Sequence, residues 1–371
     1  MKIVADRDIF QVAEYFSGYG ELALMPGREI THEHVRHADA LLVRTITAVN
    51  EALVKDTDLR FIGSAASGTD HVDQDCLAVN KMTFAHAPGC NADAVVDYVF
   101  AALAWLARQG MSQWRGKRIG IIGAGNVGSR LAHKMLALGL PVSIHDPLLP
   151  ASHPLASCFV SLDQALSCDI ISLHVPLTVG GDFPTRHLLQ RQRLSTLAEG
   201  AILINASRGE VIDNTALLEL LAERADLHVV LDVWEGEPGI NPALASQVAI
   251  ATPHIAGYSR NGKRNATLAV HQAFCECFGL DCPELQRESP AGTLELSRDD
   301  NHEDLVDSAL LQAYPVSKDF LDTQVADLAG HFDRRRNNYA FRPECRDFVF
   351  NAGALTENLV RDLESLGFRR Q

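Results

Sequence analysis

Residues 117–146 read KRIGIIGAGNVGSRLAHKMLALGLPVSIHD, and this stretch sets the class of fold. The apolar run KRIGII predicts a buried strand, and PVSIH predicts a second one. Between them, apolar side chains recur at Val127, Leu131 and Met135, which is the spacing of one helix face. A similar alternation of short apolar runs with helical segments continues over about 280 residues. This pattern predicts an α/β fold built on parallel sheets.

Three glycines in this stretch, Gly123, Gly125 and Gly128, form a GxGxxG motif between the first strand and the helix. In such a unit the first glycine permits a tight turn, the second lets the backbone approach a pyrophosphate, and the third allows close helix–strand packing. Asp146 ends the next strand, where a carboxylate accepts hydrogen bonds from a ribose and repels a 2′-phosphate. We therefore predict NAD as the cofactor. The alternative is a glycine turn that only joins a strand to a helix.

Two long predicted helices flank the block that contains the glycine motif. This arrangement predicts an NAD-binding Rossmann domain (residues 94–253) inserted in a discontinuous substrate-binding domain (residues 1–93 and 254–281). Residues 282–304 are rich in proline, glycine, serine and charge, which is typical of a linker. Residues 286–371 are predicted to form a small α+β domain, with DFLDTQVADLAG (319–330) as one of its helices.

The composition excludes several classes of function. The 371 residues include 33 Lys and Arg against 47 Asp and Glu, a net charge of −14, which disfavours generic binding to nucleic acid or anionic membranes. We see no apolar run long enough to span a membrane, and charged residues interrupt any signal-peptide core, so we expect a cytoplasmic protein. The eight cysteines are scattered without zinc-site spacing. We interpret them as reduced structural thiols and predict no metal.

Arg208, Glu237 and His254 each follow a predicted strand of the inserted block. In a parallel sheet such positions meet at the edge where ligands bind. A guanidinium can hold a substrate carboxylate, an imidazole can accept a hydroxyl proton, and a carboxylate can orient the imidazole. Together they suit hydride transfer from a hydroxy acid. Taken singly, the three are better explained as an exposed arginine, a turn glutamate and a strand-capping histidine; together, at three strand ends beside a cofactor motif, they favour the catalytic interpretation.

The motifs GAGNVG (123–128), NASRGE (205–210), DVWEGEP (232–238) and PHIAG (253–257) resemble those of the D-isomer-specific 2-hydroxyacid dehydrogenases. The resemblance implies a flavodoxin-like substrate domain beside the Rossmann domain. It also implies that Arg208 binds the substrate carboxylate, that Glu237 and His254 form the acid/base pair, and that Asp232 approaches the nicotinamide. The implied cofactor contacts are Gly123, Gly125, Asn126, Val127, Gly128, Asp146, Val175, Ala206, Ser207, Arg208, Asp232 and Gly257.

Finer strings, including GTDHVD (68–73), HIAGYS (254–259) and residues 331–348, resemble one branch of this family. That branch oxidises a phosphorylated four-carbon hydroxy acid on the route to pyridoxal 5′-phosphate, and it forms homodimers through its C-terminal domain. Expected substrate contacts are Arg44, Thr45, Ser67, Gly68 and Tyr258, for which the alternative is a set of turn formers and a packed tyrosine. The family often has a hydroxyl residue at the position of Ala66, whereas this chain has its hydroxyl one residue later, at Ser67. The role of this loop in substrate binding is therefore left open.

Other interpretations are compatible with the sequence. Arg334, Arg335, Arg336 and Arg342 form a basic cluster, which we interpret as a solvated or salt-bridged face. The sharper hypothesis is that Arg342 reaches a partner subunit's cleft and meets a substrate phosphate.

The chain is also compatible with a phosphoglycerate, glycerate or hydroxypyruvate dehydrogenase, although its tail has too few β-rich runs to fit the βαββαβ pattern of a serine-binding regulatory domain. A further alternative is an NAD-sensing co-repressor scaffold.

Overall fold

The computed structural model describes residues 1–283, 289–297, 301–353 and 355–371. They form two compact units, one of Met1–Asn91 with Ser259–Glu288 and one of Ala92–Tyr258 with Ser289–Gln371. The C-terminal residues thus belong to the second unit, and the division into three domains stays a prediction. Parts of the predicted linker, residues 284–288 and 298–300, lie outside the described residues.

Strands and helices alternate along most of the chain. The strands are β1 (Lys2–Asp6), β2 (Glu21–Met25), β3 (Ala40–Val43), β4 (Phe61–Ser64), β5 (Thr83–His86), β6 (Ile119–Ile122), β7 (Val142–His145), β8 (Ile170–Leu173), β9 (Ile202–Asn205), β10 (His228–Leu231), β11 (Ile250–Ala251), β12 (Gly292–Thr293), β13 (Phe348–Phe350) and β14 (Arg369–Arg370). The α-helices are α1 (Val12–Phe16), α2 (His32–Val35), α3 (Glu51–Val54), α4 (Gln74–Val79), α5 (Ala92–Arg108), α6 (Asn126–Ala137), α7 (Leu162–Leu166), α8 (Arg191–Leu194), α9 (Asn214–Glu223), α10 (Pro242–Gln247), α11 (Arg260–Phe278), α12 (His302–Ala313), α13 (Leu328–Asn337) and α14 (Glu357–Leu366).

The first unit is built on a parallel sheet with the strand order β2-β1-β3-β4-β5. This is the flavodoxin-like order, as the family resemblance implies. Helix α11 packs on one face of the sheet, where Val270 and Phe274 join Ile3 and Phe61 in an apolar core. The Ser259 side chain caps the start of α11, and Gly279 ends it in a left-handed conformation.

The second unit contains a parallel sheet with the order β11-β10-β9-β8-β6-β7, and a bridge at Phe159 extends it beyond β7. With that segment counted, the order is that of a Rossmann fold. Apolar clusters cover both faces of this sheet, which explains why its strands are continuous apolar runs. The strand order reverses between β6 and β8. In open α/β sheets, ligands bind at the carboxyl ends of the strands beside such a reversal.

The C-terminal segment departs from two expectations. Residues 292–293, within the predicted linker, form β12 and pair with β13. The helix predicted over residues 319–330 is wrong for most of its length, because α13 begins only at Leu328, after the capping side chain of Asp327. The backbone N–H of Leu321 instead donates to Ala251 in β11, and its side chain is buried. This contact with the sheet edge overrides the local helical pattern.

Arg342 anchors the C-terminal segment to its own chain. Its guanidinium donates to the backbone oxygens of Ala94, Ala256 and Tyr258, each at 2.8 Å, and lies 4.0 Å from the centre of the Tyr314 ring. The hypothesis that Arg342 reaches a partner's cleft is therefore wrong, because the side chain is buried and its charge is used inside the subunit.

In the part of the chain that the structure describes, no helix combines the length and the apolar character needed to cross a bilayer. The cytoplasmic location stays a prediction.

Replacing Arg342 with Met should lower the melting temperature by roughly 6 °C or more, because three backbone carbonyls, two of them buried, lose a charged donor. Differential scanning calorimetry measures this shift. The matched control is Arg334→Met, which removes the same charge from an exposed position and should move the melting temperature little. Equal melting temperatures for both variants would contradict the anchoring role.

Candidate active site

In the turn between β6 and α6, each glycine of the motif has different steric surroundings. Gly123 has a φ of +89°, and a Cβ there would lie 2.8 Å from the backbone oxygen of His174. A Cβ on Gly128 would overlap the backbone oxygen of Gly123. A Cβ on Gly125 would meet nothing within 4 Å. Packing therefore requires the first and third glycines, whereas the second borders open space through which a ligand can approach.

The start of α6 offers unpaired donors to that same space. No side chain in the described part of the chain caps this helix, whose first residues are Asn126 and Val127. An uncapped N-terminus presents backbone N–H groups and the positive end of the helix dipole, which suits a pyrophosphate. The glycine geometry and the uncapped helix together fit a dinucleotide.

Asp146 follows β7 beside this turn. Its carboxylate accepts hydrogen bonds from the backbone N–H groups of Ala124 (2.8 Å) and Leu148 (3.1 Å). These bonds fix the carboxylate while leaving further lone pairs for ribose hydroxyls. Its negative charge favours NAD over a cofactor with a 2′-phosphate.

His174 and Val175 follow β8 on the other side of the strand reversal. Burial lowers the pKa of His174 to about 3, so the imidazole is neutral at physiological pH, and its Nε2 lies 2.8 Å from the Ser172 hydroxyl. Both residues contact the place where a Cβ on Gly123 would stand. Val175 thus lies at the switch point, as its predicted cofactor contact requires.

Arg208 lies in a tightly held loop after β9. The Asn205 side chain donates to the Arg208 backbone oxygen (2.9 Å) and accepts from the backbone N–H and the hydroxyl of Ser207. Gly209 packs so closely on the Trp234 backbone that a Cβ there would overlap it. The Arg208 loop is therefore pressed directly against the loop that carries Glu237.

Asp232 directly follows β10 and organises the loop that carries His254. Its buried carboxylate accepts hydrogen bonds from the Thr252 hydroxyl and from the backbone N–H groups of Ile255 and Ala256. Burial raises the pKa of Asp232, even though these donors and the charge of His254 oppose the shift. The visible role of Asp232 is to hold this loop, and its contact with the nicotinamide stays a prediction.

Glu237 and His254 form a close pair. Glu237 Oε2 lies 2.7 Å from His254 Nδ1, and its other oxygen accepts the Trp234 N–H at 2.8 Å. His254 adopts a φ of +58°, a left-handed backbone conformation that is rare outside glycine, and its N–H donates to the Asp232 backbone oxygen. Its Nε2 makes no hydrogen bond to any described residue. This nitrogen is therefore the atom available for a substrate hydroxyl.

The surroundings keep Glu237 charged. Burial acts to raise the pKa of Glu237, but the hydrogen bond and charge of His254, the Trp234 N–H and the charge of Arg336 bring it below the ordinary value. A carboxylate that is ionised at neutral pH orients the ring through Nδ1 and stabilises the imidazolium that forms when Nε2 takes a proton.

Arg336 is a site residue whose place the sequence did not reveal. It comes from α13, more than 80 positions after His254, and its Nη1 lies 3.7 Å from Glu237 Oε2. Its Nε donates to the Tyr258 hydroxyl at 3.3 Å. In the sequence, Arg336 is one member of a basic cluster. Nothing in the local pattern distinguishes it from Arg334, which pairs with Asp327 at the surface.

The predicted substrate residues of the first unit lie at neighbouring strand ends. Thr45 follows β3, and Ser67 and Gly68 follow β4, which pairs with β3. Arg44 is already engaged, because its guanidinium donates to Asp6 (2.7 Å) and to Asp8 (2.8 Å). The Ser67 hydroxyl accepts the Gly89 N–H at 3.2 Å. A substrate that binds Arg44 would therefore share it with two carboxylates.

A histidine and two cysteines of the first unit form a cluster that sequence spacing did not predict. One ligand atom from each of His271, Cys275 and Cys282 lies within 4.8 Å of the others. Cys275 approaches Nε2 of the ring, which also lies 3.0 Å from the Tyr19 hydroxyl, whereas Cys282 approaches Nδ1. The thiols face opposite ring nitrogens, and a single ion binds only one of them. We therefore assign no metal here.

Comparison with known proteins agrees with this geometry. Residues 96–256 match the NAD-binding domain of the D-isomer specific 2-hydroxyacid dehydrogenases. The NAD⁺-bound 3-phosphoglycerate dehydrogenase of Entamoeba histolytica superposes with a TM-score of 0.63, covering 75% of this chain and 95% of that one at 24% identity, which shows a shared fold. The fold and the site thus define a dehydrogenase of this class.

Curated relatives narrow the class. Erythronate-4-phosphate dehydrogenase of Cellvibrio japonicus is 42% identical over 392 aligned residues that cover both chains completely. The enzyme of the same name from Stutzerimonas stutzeri is 49% identical over 282 residues, which cover 76% of this chain and 74% of that protein. The chain belongs to the erythronate-4-phosphate dehydrogenase family.

Substituting Gly125 by Ala should weaken NAD binding at least about tenfold, because a methyl group would enter the space beside the uncapped helix, and the protein should remain folded. Gly128→Ala is the matched control for packing, since its methyl group would overlap a backbone oxygen. That variant should lose thermal stability. Calorimetric titration with NAD and a thermal melt of each variant measure the two effects. Unchanged NAD affinity in Gly125→Ala would contradict the placement of the pyrophosphate.

Proposed function

We propose that the chain oxidises 4-phospho-D-erythronate to (R)-3-hydroxy-2-oxo-4-phosphobutanoate with NAD, a step in pyridoxal 5′-phosphate biosynthesis. The observation that carries the proposal is the Glu237–His254 pair, with its unengaged Nε2, at the end of an NAD-type sheet. The names and full-length similarity of the relatives support this substrate.

In this proposal, His254 is the general acid/base. Its Nε2 accepts the proton of the C2 hydroxyl while the C2–H bond breaks, and a carbonyl group forms at C2. When bound, NAD accepts the hydride that leaves C2. Glu237 holds the ring through Nδ1 and stabilises the positive charge that the ring acquires. In the reverse direction the imidazolium returns the proton.

Arg208 is the residue we assign to the substrate carboxylate. It follows β9, the neighbour of β10 in the sheet, so its loop lies beside the loop that carries Glu237. A guanidinium fixes a carboxylate through two parallel hydrogen bonds, which would orient C2 toward the nicotinamide. The implied cofactor contacts of Ala206, Ser207 and Gly257 lie on the loops that present Arg208 and His254.

We also propose a homodimer formed through residues 286–371, supported by the resemblance of residues 331–348 to the dimerisation domain of this family. Sedimentation velocity should give twice the chain mass. The other dehydrogenase specificities and the co-repressor scaffold have less support, because full-length relatives carry one enzyme name.

Replacing Glu237 with Gln should shift the acidic limb of the pH profile of kcat/KM to lower pH, because the imidazolium loses the carboxylate that stabilises it. The value of kcat/KM itself should also fall. NADH formation from 4-phospho-D-erythronate between pH 5 and 9 measures both effects.

The matched control is Glu235→Gln. The Glu235 carboxylate is a neighbour that bonds His187 (2.6 Å) and the Asn214 N–H (3.0 Å) rather than His254. The acidic limb of the kcat/KM profile of Glu235→Gln should coincide with that of the wild-type protein. An unmoved limb in Glu237→Gln would show that the pair is not coupled during turnover.

A further inference from the structure

The C-terminal segment places a cation beside the acid/base pair. Arg336 Nη1 lies 3.7 Å from Glu237 Oε2, which lies 2.7 Å from His254 Nδ1. The guanidinium nitrogen is therefore no more than 6.4 Å, the sum of these distances, from Nδ1 of the His254 ring. In a four-carbon hydroxy acid phosphorylated at C4, the phosphate lies two carbons beyond C2, the carbon that carries the reacting hydroxyl. The span from that hydroxyl to the phosphate is similar in length to the distance between Arg336 and the His254 ring.

Most of the hydrogen-bonding capacity of Arg336 is unused. A guanidinium has five N–H donors. Within the described residues only Nε donates, to the Tyr258 hydroxyl, and the 3.7 Å contact with Glu237 is an ion pair that is too long for a hydrogen bond. The side chain is 28% exposed. Four donors on Nη1 and Nη2 thus remain for an anion that enters the site.

The fold fixes the segment that carries Arg336 before any ligand binds. Phe332, one helical turn earlier on α13, is fully buried in the apolar core of the second unit. After the helix, the Tyr339 hydroxyl donates to Asp319 at 2.7 Å, and Arg342 is tied to the backbone of the His254 loop. Because the chain is anchored both before and after Arg336, this side chain loses less freedom when an anion binds, which favours affinity for the anion.

Negatively charged neighbours favour a cation at this position. Burial acts to lower the pKa of Arg336, but its interaction with Tyr258 and the carboxylates of Glu237 and Asp232 raise it, so the group stays protonated. A substrate with a carboxylate and a phosphate would bring further negative charge to a site that already contains the Glu237 carboxylate. Arg208, the residue assigned to the substrate carboxylate, serves only one of its two anionic ends.

We propose that Arg336 binds the phosphate group of the substrate and makes the site specific for phosphorylated hydroxy acids. This inference rests on the proposed function. With C2 at His254 and the carboxylate at Arg208, the phosphate extends from the far end of the carbon chain to Nη1 and Nη2. A planar guanidinium matches two phosphate oxygens, which a lysine cannot do with the same geometry.

The experiment compares 4-phospho-D-erythronate with D-erythronate as substrates for the full-length protein. In Arg336→Gln the ratio of the two kcat/KM values should fall about 10- to 100-fold, the size expected for losing charge-assisted hydrogen bonds to one group. Competitive inhibition by inorganic phosphate should weaken by about the same factor. Arg336→Lys should recover only part of both effects.

Arg334→Gln is the matched control, because it removes one charge from the same helix at a surface position. It should match the wild type in both measurements.

If Arg336→Gln lowered kcat/KM equally for both substrates, the proposal would be overturned. Unchanged inhibition of this variant by inorganic phosphate would also overturn it. A shifted acidic limb with an unchanged substrate ratio would also overturn it, since Arg336 would then act through Glu237. The inhibition measurement does not depend on fast turnover of D-erythronate. Failure of the proposed function is distinguishable, because the wild-type protein itself would then form no NADH from 4-phospho-D-erythronate.

Discussion

The buried carboxylate of Asp232 is the constraint on which the active site depends. It receives three hydrogen bonds from residues 252–256, and these bonds hold His254 in a left-handed backbone conformation opposite Glu237. A buried carboxylate without donors would be costly, so the loop and the carboxylate stabilise each other. The 2.7 Å contact between Glu237 and His254 follows from this arrangement. Catalytic geometry is thus set by a residue that the proton transfer does not use.

The sheet brings together what the sequence separates. Strands β9, β10 and β11 are parallel neighbours, so the loops that follow them emerge at one edge. Those loops carry Arg208, Glu237 and His254. Close packing of Gly209 on the Trp234 backbone leaves the first two loops little freedom to move apart. The acid/base pair and the expected carboxylate site are therefore consequences of strand order.

The features that the sequence predicts are those in which chemistry and periodicity coincide. The strands of both large sheets except β2, the glycine turn and the pairing of Glu237 with His254 were all predictable. The half-exposed edge strand β2 gives only a weak apolar pattern. The true start of α13 and the place of Arg336 depend on tertiary contacts, such as the docking of Leu321 on β11, that no local pattern encodes. The same limit led to the wrong hypothesis for Arg342.

In the proposed reaction, His254 removes the hydroxyl proton while C2 gives its hydrogen to NAD. Mass spectrometry of the NADH formed from 4-phospho-D-erythronate deuterated at C2 tests this transfer. We expect one deuterium per NADH with the wild-type protein, and a rate at least about 100-fold lower with His254→Gln. Unlabelled NADH, or a variant as fast as the wild type, would contradict it.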